Sequence, residues 1–255
     1  MRTGIITGAS SGMGREFVLQ AAARGDLDEL WVIARRAERL EQLRQEVSVP
    51  LTILPLDLMQ EESFARYEAL LAEKQPQVTL LINASGFGKF GRYDEIPLRD
   101  SLDMIDLNCK ALVRMTQLTL PYLARGAHVI QVDSLSAFQP VPYLGVYGAT
   151  KAFVLSYSRS LNAELAPRGI HMMAFCPGWV KTEFFDHAEQ TSKTAVTYFN
   201  QLFTAREVVA CALKDSARGR DVCVPGFRIK AQVLLTKLLP HRLVIKIWMK
   251  QQKHA

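Results

Sequence analysis

Tyr147 and Lys151 lie four residues apart in a stretch whose residue pattern predicts a helix. Residues i and i+4 share one face of a helix. An ammonium group beside a phenol stabilises the phenolate and lowers its pKa from about 10 toward neutrality, so the phenol can exchange a proton with an alcohol or carbonyl. Ser134, thirteen residues before the tyrosine, can hydrogen-bond the same oxygen. The spacing alone does not establish that the pair is catalytic, because an i,i+4 pair is also a common surface contact.

A glycine-rich segment follows the first predicted strand and precedes Arg15 and a helical stretch. It reads Thr7-Gly8-Ala9-Ser10-Ser11-Gly12-Met13-Gly14. Glycines permit a tight turn and let backbone N–H groups approach a pyrophosphate, while the N-terminus of the next helix favours negative charge. The segment therefore predicts a dinucleotide-binding loop, with a purely structural turn as the alternative.

The residues at the end of the second predicted strand indicate which dinucleotide the protein binds. An acid there binds the ribose hydroxyl of NAD, whereas an arginine accommodates the 2′-phosphate of NADP. The chain has Arg35 and Arg36 at this point and no acid before Glu38, and Arg15 offers a further cation. We therefore expect NADP, with Arg35 the better candidate of the pair. The alternative is that both arginines only flank a solvated helix start.

The order of short β-branched runs and longer helical stretches predicts parallel βαβ units. We expect one α/β domain, a doubly wound Rossmann-type fold with a mostly parallel seven-stranded sheet, over residues 1–227. Such a sheet binds ligands beyond the carboxyl ends of its strands, where the candidate residues fall. The predicted strands are 5–7, 30–34, 51–55, 78–83, 128–132, 171–175 and 221–224, and the main helices are 16–24, 37–47, 60–74, 98–124 and 146–165.

Composition and charge exclude several classes of protein. The 255 residues are 49% hydrophobic and 22% charged, as in ordinary globular proteins, and no apolar run is long enough to span a membrane. The N-terminus enters a strand pattern at once, which argues against a signal peptide. The four cysteines are scattered without metal-binding spacing, so we expect buried thiols, no metal and a cytoplasmic location.

The net charge of +6 is concentrated in a C-terminal helical extension, residues 228–255. This segment holds seven Lys or Arg and no acid, so the rest of the chain is close to neutral and does not resemble a nucleic-acid-binding domain. Arg242, Lys246, Lys250 and Lys253 recur on one helical face, which predicts a basic amphipathic helix. It can pack on the domain or a partner subunit, close over the substrate cleft, or lie on an anionic membrane surface.

Together these features resemble the short-chain dehydrogenase/reductase superfamily of the classical type, in its NADP-preferring bacterial branch. The resemblance runs from the first residues to about Thr182. The matching positions, in order, are the glycine motif, Asp57, Asn83-Ala84-Ser85-Gly86, Asn108, Ser134, Tyr147, Lys151 and the segment Pro177 to Thr182.

The resemblance implies a role for each matching residue. Tyr147 would be the general acid in reduction and the base in oxidation, Lys151 would lower its pKa and bind the nicotinamide ribose, and Ser134 would orient the substrate oxygen. Ser136 competes for that role, but only Ser134 has the thirteen-residue spacing. Asn108 would kink its helix and hold a water of the proton relay.

The resemblance also implies a cofactor site in which the segment from Pro177 to Thr182 cradles the nicotinamide. Asp57 would accept from the adenine amino group, with a helix N-cap as the alternative. The expected cofactor contacts, besides Tyr147 and Lys151, are Gly8, Ser10, Ser11, Gly12, Met13, Gly14, Arg15, Arg35, Asp57, Leu58, Asn83, Ala84, Pro177, Gly178, Val180 and Thr182.

Two positions depart from the family pattern. The usual second asparagine after Asn83 is Ala84, and the residue before the catalytic serine is Asp133 rather than a small one. A carboxylate there can raise pKa values in the relay. Because neighbours on a strand face opposite sides, we expect the Asp133 side chain to point away from the site.

The segment 183–203 would form the substrate lid, a name kept below. We expect it to help form a largely apolar pocket or to pack in the core, with His187 exposed. The aromatic candidates are Phe184, Phe185, Tyr198 and Phe203 in the lid, and Phe87, Phe90, Tyr143 and Trp179 outside it.

The resulting prediction is an NADP(H)-dependent oxidoreductase that transfers a hydride between nicotinamide and the carbonyl or secondary alcohol of a moderately hydrophobic small molecule. Alternatives are a 3-oxoacyl-thioester reductase, a hydroxysteroid-type dehydrogenase and a non-catalytic NADP sensor, which would not need the Ser134, Tyr147 and Lys151 set. By analogy we expect a homo-oligomer.

Overall fold

A seven-stranded parallel sheet forms the centre of the molecule. The computed structural model describes residues 1–189, 191–192, 195–199 and 201–252. The strands are β1 Arg2–Thr7, β2 Glu29–Ala34, β3 Leu51–Pro55, β4 Gln77–Asn83, β5 Leu123–Val132, β6 His171–Phe175, β7 Trp179–Lys181, β8 Leu202–Thr204 and β9 Val222–Cys223. The sheet order is β3-β2-β1-β4-β5-β6-β9, and a separate parallel pair joins β7 to β8.

Helices cover both faces of this sheet, which confirms the predicted doubly wound fold. They are α1 Gly12–Ala23, α2 Ala37–Gln42, α3 Glu61–Lys74, α4 Leu98–Ile105, α5 Leu112–Thr119, α6 Gly145–Leu165, α7 Phe184–Ala188, α8 Ala205–Ala217, α9 Phe227–Leu238 and α10 His241–Gln251. No described helix is both long and apolar enough to cross a membrane.

The central strands are continuous apolar runs because both of their faces are covered. Ile5 and Ile6 are neighbours on β1 and point to opposite sides. Ile6 packs with Phe17 of α1 in one core layer, whereas Ile5 packs with Trp31 and Tyr67 in the other. Each fully buried side chain of this size contributes about 1.5–3 kcal/mol. The two layers hold the sheet rigidly, so its carboxyl edge is a fixed platform.

The predicted helix 98–124 is wrong as one continuous element. Residues Asp106–Ala111 form a π-helical segment between α4 and α5, and the chain enters β5 at Leu123. The strand begins earlier than predicted because Leu123 pairs with Val78 before a register shift, and Gly126 takes a left-handed φ of 83°. Glycine adopts that conformation without the steric cost that other residues pay.

Candidate active site

The candidate catalytic residues meet at the carboxyl edge of the sheet. Ser134 follows β5 and begins a short 3-10 turn, where its hydroxyl accepts from the Ser136 amide at 3.2 Å. Tyr147 and Lys151 lie in the first two turns of α6 and are both buried. The Lys151 Nζ atom is 5.7 Å from the Tyr147 ring centroid and donates to the Val132 carbonyl at 2.8 Å. The sequence spacing therefore does place the three side chains together.

Burial controls the ionisation of this cluster. It raises the pKa of Tyr147 above its ordinary value, while a hydrogen bond with Ser134 acts in the opposite direction. Burial also lowers the pKa of Lys151, which the Asp133 carboxylate partly offsets. The net shift of the phenol pKa is therefore upward, opposite to the lowering expected from Lys151, and among the described residues the one group that lowers it is Ser134. Tyr147 is protonated at neutral pH, which is the form that a proton donor requires.

Asp133 does not point away from the site as the strand alternation predicts. It is fully buried in the wall of the active-site cavity, and its Oδ2 atom accepts from the Cys176 thiol at 3.4 Å. Its Oδ1 atom has no hydrogen-bond partner among the described residues. Burial raises the pKa of Asp133 to about 7, and the charge of Lys151 opposes this. The strand β5 ends at Val132, although the Asp133 amide still donates to the Phe175 carbonyl of β6 at 2.7 Å.

Asn108 occupies the π-helical segment and fixes the loop opposite α6. Its Nδ2 group donates to the Phe87 carbonyl at 2.9 Å and to the Thr150 hydroxyl at 3.0 Å, and its Oδ1 accepts from the Phe87 amide at 3.0 Å. The side chain is therefore fully used within the protein. A Cβ on Gly86 would lie 2.9 Å from Asn108 Oδ1, so a larger residue there would displace this hydrogen-bonded side chain. The expected break in the helix is present, as a π segment.

Asn83 holds neighbouring elements together through its side chain. Its Nδ2 group donates to Gln131 Oε1 at 2.9 Å and to the Thr116 hydroxyl at 3.1 Å, which joins β4 to β5 and α5. The Thr7 hydroxyl accepts from the amides of Ala84 and Ser85. A cofactor contact at Asn83 and Ala84 is therefore expected through the backbone. Thr7 and Gln131 were not singled out as structural partners by the sequence reasoning.

The glycine loop between β1 and α1 is as tight as predicted. Gly8 has a φ of 68°, and a Cβ there would lie 2.7 Å from the Ala84 carbonyl oxygen. A Cβ on Gly14 would lie 2.1 Å from the Gly8 carbonyl oxygen. No other residue fits either position without moving backbone. The loop therefore exposes its amides at the start of α1, where an anion is favoured.

Arg36, rather than Arg35, contacts this loop. Its guanidinium donates to the Ser10 hydroxyl at 3.1 Å and the Ser11 hydroxyl at 2.8 Å, and it forms an ion pair with Glu183 at 3.0 Å. Arg39 binds the same carboxylate, and hydrogen bonds from these two arginines hold the pKa of Glu183 below its usual value. Arg35 is exposed and forms no hydrogen bond or ion pair with the described residues. The sequence reasoning missed Glu183, whose partners are distant in the chain.

The remaining predicted cofactor residues fall into two groups, of which only the second lines the active-site cavity. Asp57 accepts from the Met59 amide at 3.1 Å, and Gln60 rather than Asp57 is the N-cap of α3. Leu58 is buried beside it. Arg15 forms an ion pair with Glu46. Residues Met13, Pro177, Gly178, Val180 and Thr182 line the cavity described next.

A cavity of about 520 Å³ opens in front of Ser134 and Tyr147. Four of the expected aromatic side chains line it, namely Trp179, Phe184, Phe185 and Tyr198. Phe90 lies fully buried behind them, with its ring centroid 6.0 Å from that of Trp179. His187 is exposed, as expected. Gln190, Lys193, Thr194 and Asn200 of the lid lie outside the described residues.

The C-terminal helices form the far wall of this cavity. This wall includes Leu235 of α9 and Leu239 just after it, together with Val244 and Trp248 of α10. The indole of Trp248 donates to the Pro142 carbonyl at 3.0 Å. Gln252 accepts from the amides of Thr197 and Tyr198 and so ties the end of α10 to the lid. Among the three interpretations of the extension, packing on the domain and closure of the cleft both match these contacts. Lys253 lies outside the described residues.

Comparison with known proteins identifies the family. Residues 2–193 match the model of the short chain dehydrogenase family. The chain belongs to this family. A sulfoacetaldehyde reductase of Chromohalobacter salexigens is 36% identical over 185 residues, which cover 70% of this chain and 72% of that enzyme. The short-chain dehydrogenase is therefore an oxidoreductase that binds a nicotinamide dinucleotide.

Solved structures agree with this family over nearly the whole chain. A short-chain dehydrogenase from Sphingobium yanoikuyae in complex with NADPH is 31% identical, with a TM-score of 0.79 and 91% of each chain covered. A bulky-bulky ketone specific alcohol dehydrogenase from Comamonas testosteroni is 28% identical, with a TM-score of 0.76 and 93% and 92% covered. These similarities confirm the predicted family and fold, whereas the roles of individual residues stay predictions.

Proposed function

We propose that this short-chain dehydrogenase is an NADP(H)-dependent reductase of bulky, apolar carbonyl compounds. The observation that carries the proposal is the apolar cavity in front of a buried, protonated Tyr147. Around the hydroxyls of Ser134 and Tyr147, its wall consists largely of aromatic and aliphatic side chains from the lid and the C-terminal helices. A polar carbonyl oxygen bound at those hydroxyls would have its apolar substituents in the rest of the cavity.

Ser134, Tyr147 and Lys151 are assigned complementary tasks in this proposal. The bound cofactor supplies the hydride to the carbonyl carbon. Ser134 orients the carbonyl oxygen, and the Tyr147 hydroxyl donates the proton that this oxygen takes up. Burial keeps the phenol protonated, which favours reduction over oxidation at neutral pH. Lys151 adds a nearby positive charge that stabilises the phenolate left behind.

The residues present fit the dinucleotide. The glycine loop leaves no room for side chains at Gly8 and Gly14 and presents its amides to a pyrophosphate. Preference for NADP(H) is part of the proposal, and it is supported by the two arginines at the end of β2 and the absence of an acid there. Arg35 has no partner among the described residues and is free to bind a 2′-phosphate.

The proposal also covers the oligomeric state of the enzyme, its cellular compartment and its division into domains. Leu98, Leu102 and Ile105 of α4 are exposed apolar side chains, which supports a homo-oligomer that buries this helix. All four cysteines are free, which supports a reducing compartment such as the cytoplasm. We further propose the predicted division into a Rossmann domain of residues 1–227, including the lid, and a C-terminal extension, because α9 and α10 follow β9, the last strand of the sheet along the chain.

The test is NADPH oxidation measured across a graded series of ketones and aldehydes, from small polar compounds to bulky apolar ones. We expect kcat/KM to rise with apolar size. Tyr147→Phe removes the transferable proton and little binding surface, so turnover should fall by about 10²–10⁴-fold while NADPH affinity stays within a few fold. Near-normal turnover in this variant would reject the assigned proton donor. Equal rates with small and bulky substrates would reject the substrate class.

A further inference from the structure

The outer face of the C-terminal helices is apolar in a way that the fold does not require. On α9 the side chains of Phe227, Leu234 and Leu238 are 86%, 60% and 72% exposed. Leu243 and Ile247 of α10 are also exposed. Water-exposed apolar side chains scattered singly are normal, but a contiguous group on two adjacent helices indicates an interaction surface. We call α9 and α10 together the C-terminal helix pair.

The same helix pair carries a strongly basic and wholly acid-free charge pattern. Its described residues include six cations and no Asp or Glu: Arg228, Lys230, Lys237, Arg242, Lys246 and Lys250. None of the six forms an ion pair within the part of the chain that the structure describes. Elsewhere in the molecule arginines and lysines commonly pair with acids, as Arg159 does with Asp221. The surface therefore combines exposed apolar side chains with uncompensated positive charge.

The combination of apolar side chains and positive charge indicates which kind of partner binds the C-terminal helix pair. A second copy of the chain that docked through the same face would bring two sets of six cations together, because a two-fold contact pairs a surface with itself. An anionic lipid surface instead offers negative headgroups to the cations and an apolar layer to the exposed leucines. Charge complementarity thus favours a membrane over self-association.

The position of the surface links it to the substrate. Phe227, Leu235 and Ile247 are exposed, and they also line the cavity that leads to Tyr147. The apolar surface and the cavity wall are therefore continuous at its mouth. A carbonyl compound dissolved in the lipid can enter the cavity along these side chains without crossing water, where its apolar surface would be unfavourably hydrated.

We propose that the C-terminal helix pair docks on an anionic membrane surface and that the cavity takes its apolar carbonyl substrate from that surface. The second half of this statement rests on the proposed function, whereas the docking itself does not. Binding to lipid is therefore measured separately from turnover.

The first experiment is co-sedimentation of the full chain with vesicles of phosphatidylcholine mixed with phosphatidylglycerol, and with vesicles of phosphatidylcholine alone. We expect binding to the anionic vesicles only, weakened by added salt because salt screens the headgroups. The double variant K230E/K246E should bind at least about tenfold less tightly, because each cation near such a surface contributes on the order of 1 kcal/mol. Neither residue lines the cavity.

A matched control makes the same change of net charge elsewhere. K74E/K214E reverses two exposed lysines on α3 and α8, and it should bind anionic vesicles like the unmodified protein. A second variant, L234S/L238S, removes outward apolar side chains that do not line the cavity, and it should also bind less. Equal binding by all variants, or no sedimentation of the unmodified protein with anionic vesicles, would overturn the proposal. So would a change of oligomeric state in L234S/L238S without a change in lipid binding.

The second experiment measures turnover of a long-chain ketone dissolved in the vesicles. We expect anionic vesicles to raise the rate for the unmodified protein and for K74E/K214E, but not for K230E/K246E. A water-soluble aldehyde assayed without lipid should be reduced at the same rate by all three. Failure of the unmodified protein to reduce either the aldehyde or the ketone would instead reject the proposed function. Lipid binding without a rate increase would overturn the delivery of substrate from the surface.

Discussion

Burial sets the protonation state of three ionisable side chains that lie within one small volume: Asp133, Tyr147 and Lys151. It raises the pKa of the carboxyl group and of the phenol and lowers that of the ammonium group. The sequence predicted that Tyr147 and Lys151 come together, because their spacing on a helix is fixed. It could not predict the sign of the net shift, because desolvation depends on the walls that the rest of the chain builds.

Asp133→Asn tests how the carboxyl group affects the phenol. Above pH about 7 the native side chain is ionised, and its charge raises the pKa of Tyr147. Removal of that charge makes the phenolate easier to form. The rising limb of the pH profile of kcat/KM for alcohol oxidation should therefore move to lower pH, by about one unit. Asp94→Asn, on the surface, should leave the limb in place. A lower rate with an unmoved limb would indicate a structural role only.

Replacement of each of the two arginines at the end of β2 should change the cofactor affinities in a different way. Arg35→Ala removes a free guanidinium, so NADPH affinity should fall about 10–100-fold while NADH affinity is unchanged. This fall corresponds to the free energy of about one charge-assisted hydrogen bond to the 2′-phosphate. Arg36→Ala removes the contacts to Ser10 and Ser11 that brace the loop used by both cofactors, so both affinities should fall. Equal losses of NADPH and NADH in Arg35→Ala would contradict the assignment of Arg35 to the 2′-phosphate.

At the scale of elements, the helices around the site are held by side chains from distant parts of the sequence. The π segment between α4 and α5 places Asn108 against Phe87 and Thr150. The extra residue in a π turn leaves no mark in hydrophobic periodicity, which is why the stretch 98–124 was predicted as one helix. The strand–turn–helix at the glycine loop was predictable, because glycine spacing reports local backbone geometry directly.

Asn108→Ala should show that this segment supports the fold as well as the site. The change removes hydrogen bonds to both backbone groups of Phe87 and to the Thr150 hydroxyl and leaves buried groups unpaired. We expect the free energy of unfolding to fall by about 2–4 kcal/mol, measured with urea. Asn162→Ala, which removes a single bond to the Met172 amide, should cost about 1 kcal/mol and serves as the comparison. A loss below that of Asn162→Ala would contradict the role of the π segment.

For the whole molecule, the parallel order of the strands brings the predicted site residues that follow a strand to one edge of the sheet. This part of the architecture was predictable because βαβ connections join parallel strands, whose carboxyl ends all lie at the same edge. The position of the C-terminal extension was not predictable. The same basic amphipathic pattern suits packing, closure or a membrane surface, and only the contacts of Trp248 and Gln252 show that α10 closes the cavity.

Removal of the chain from Pro240 onward tests whether α10, as a wall of the cavity, contributes to substrate binding. The truncation takes away Val244 and Trp248 from the cavity and the anchor of Gln252 to the lid. KM for a bulky apolar ketone should rise at least about tenfold, since two large apolar contacts are lost. NADPH affinity should change little, because the contacts of the deleted part run to Pro142 and the lid rather than to the glycine loop or β2. Trp248→Ala in the full chain should show a smaller rise; unchanged KM in both would contradict a role of α10 in binding.

The distribution of the three tryptophans gives the protein an optical property. Trp31 is buried in the core and packs against Tyr67, whereas Trp179 and Trp248 line the cavity. A ligand that enters displaces water from two indoles and leaves the third unchanged. Intrinsic fluorescence therefore reports occupancy of the cavity against a constant background, without an attached dye and without turnover.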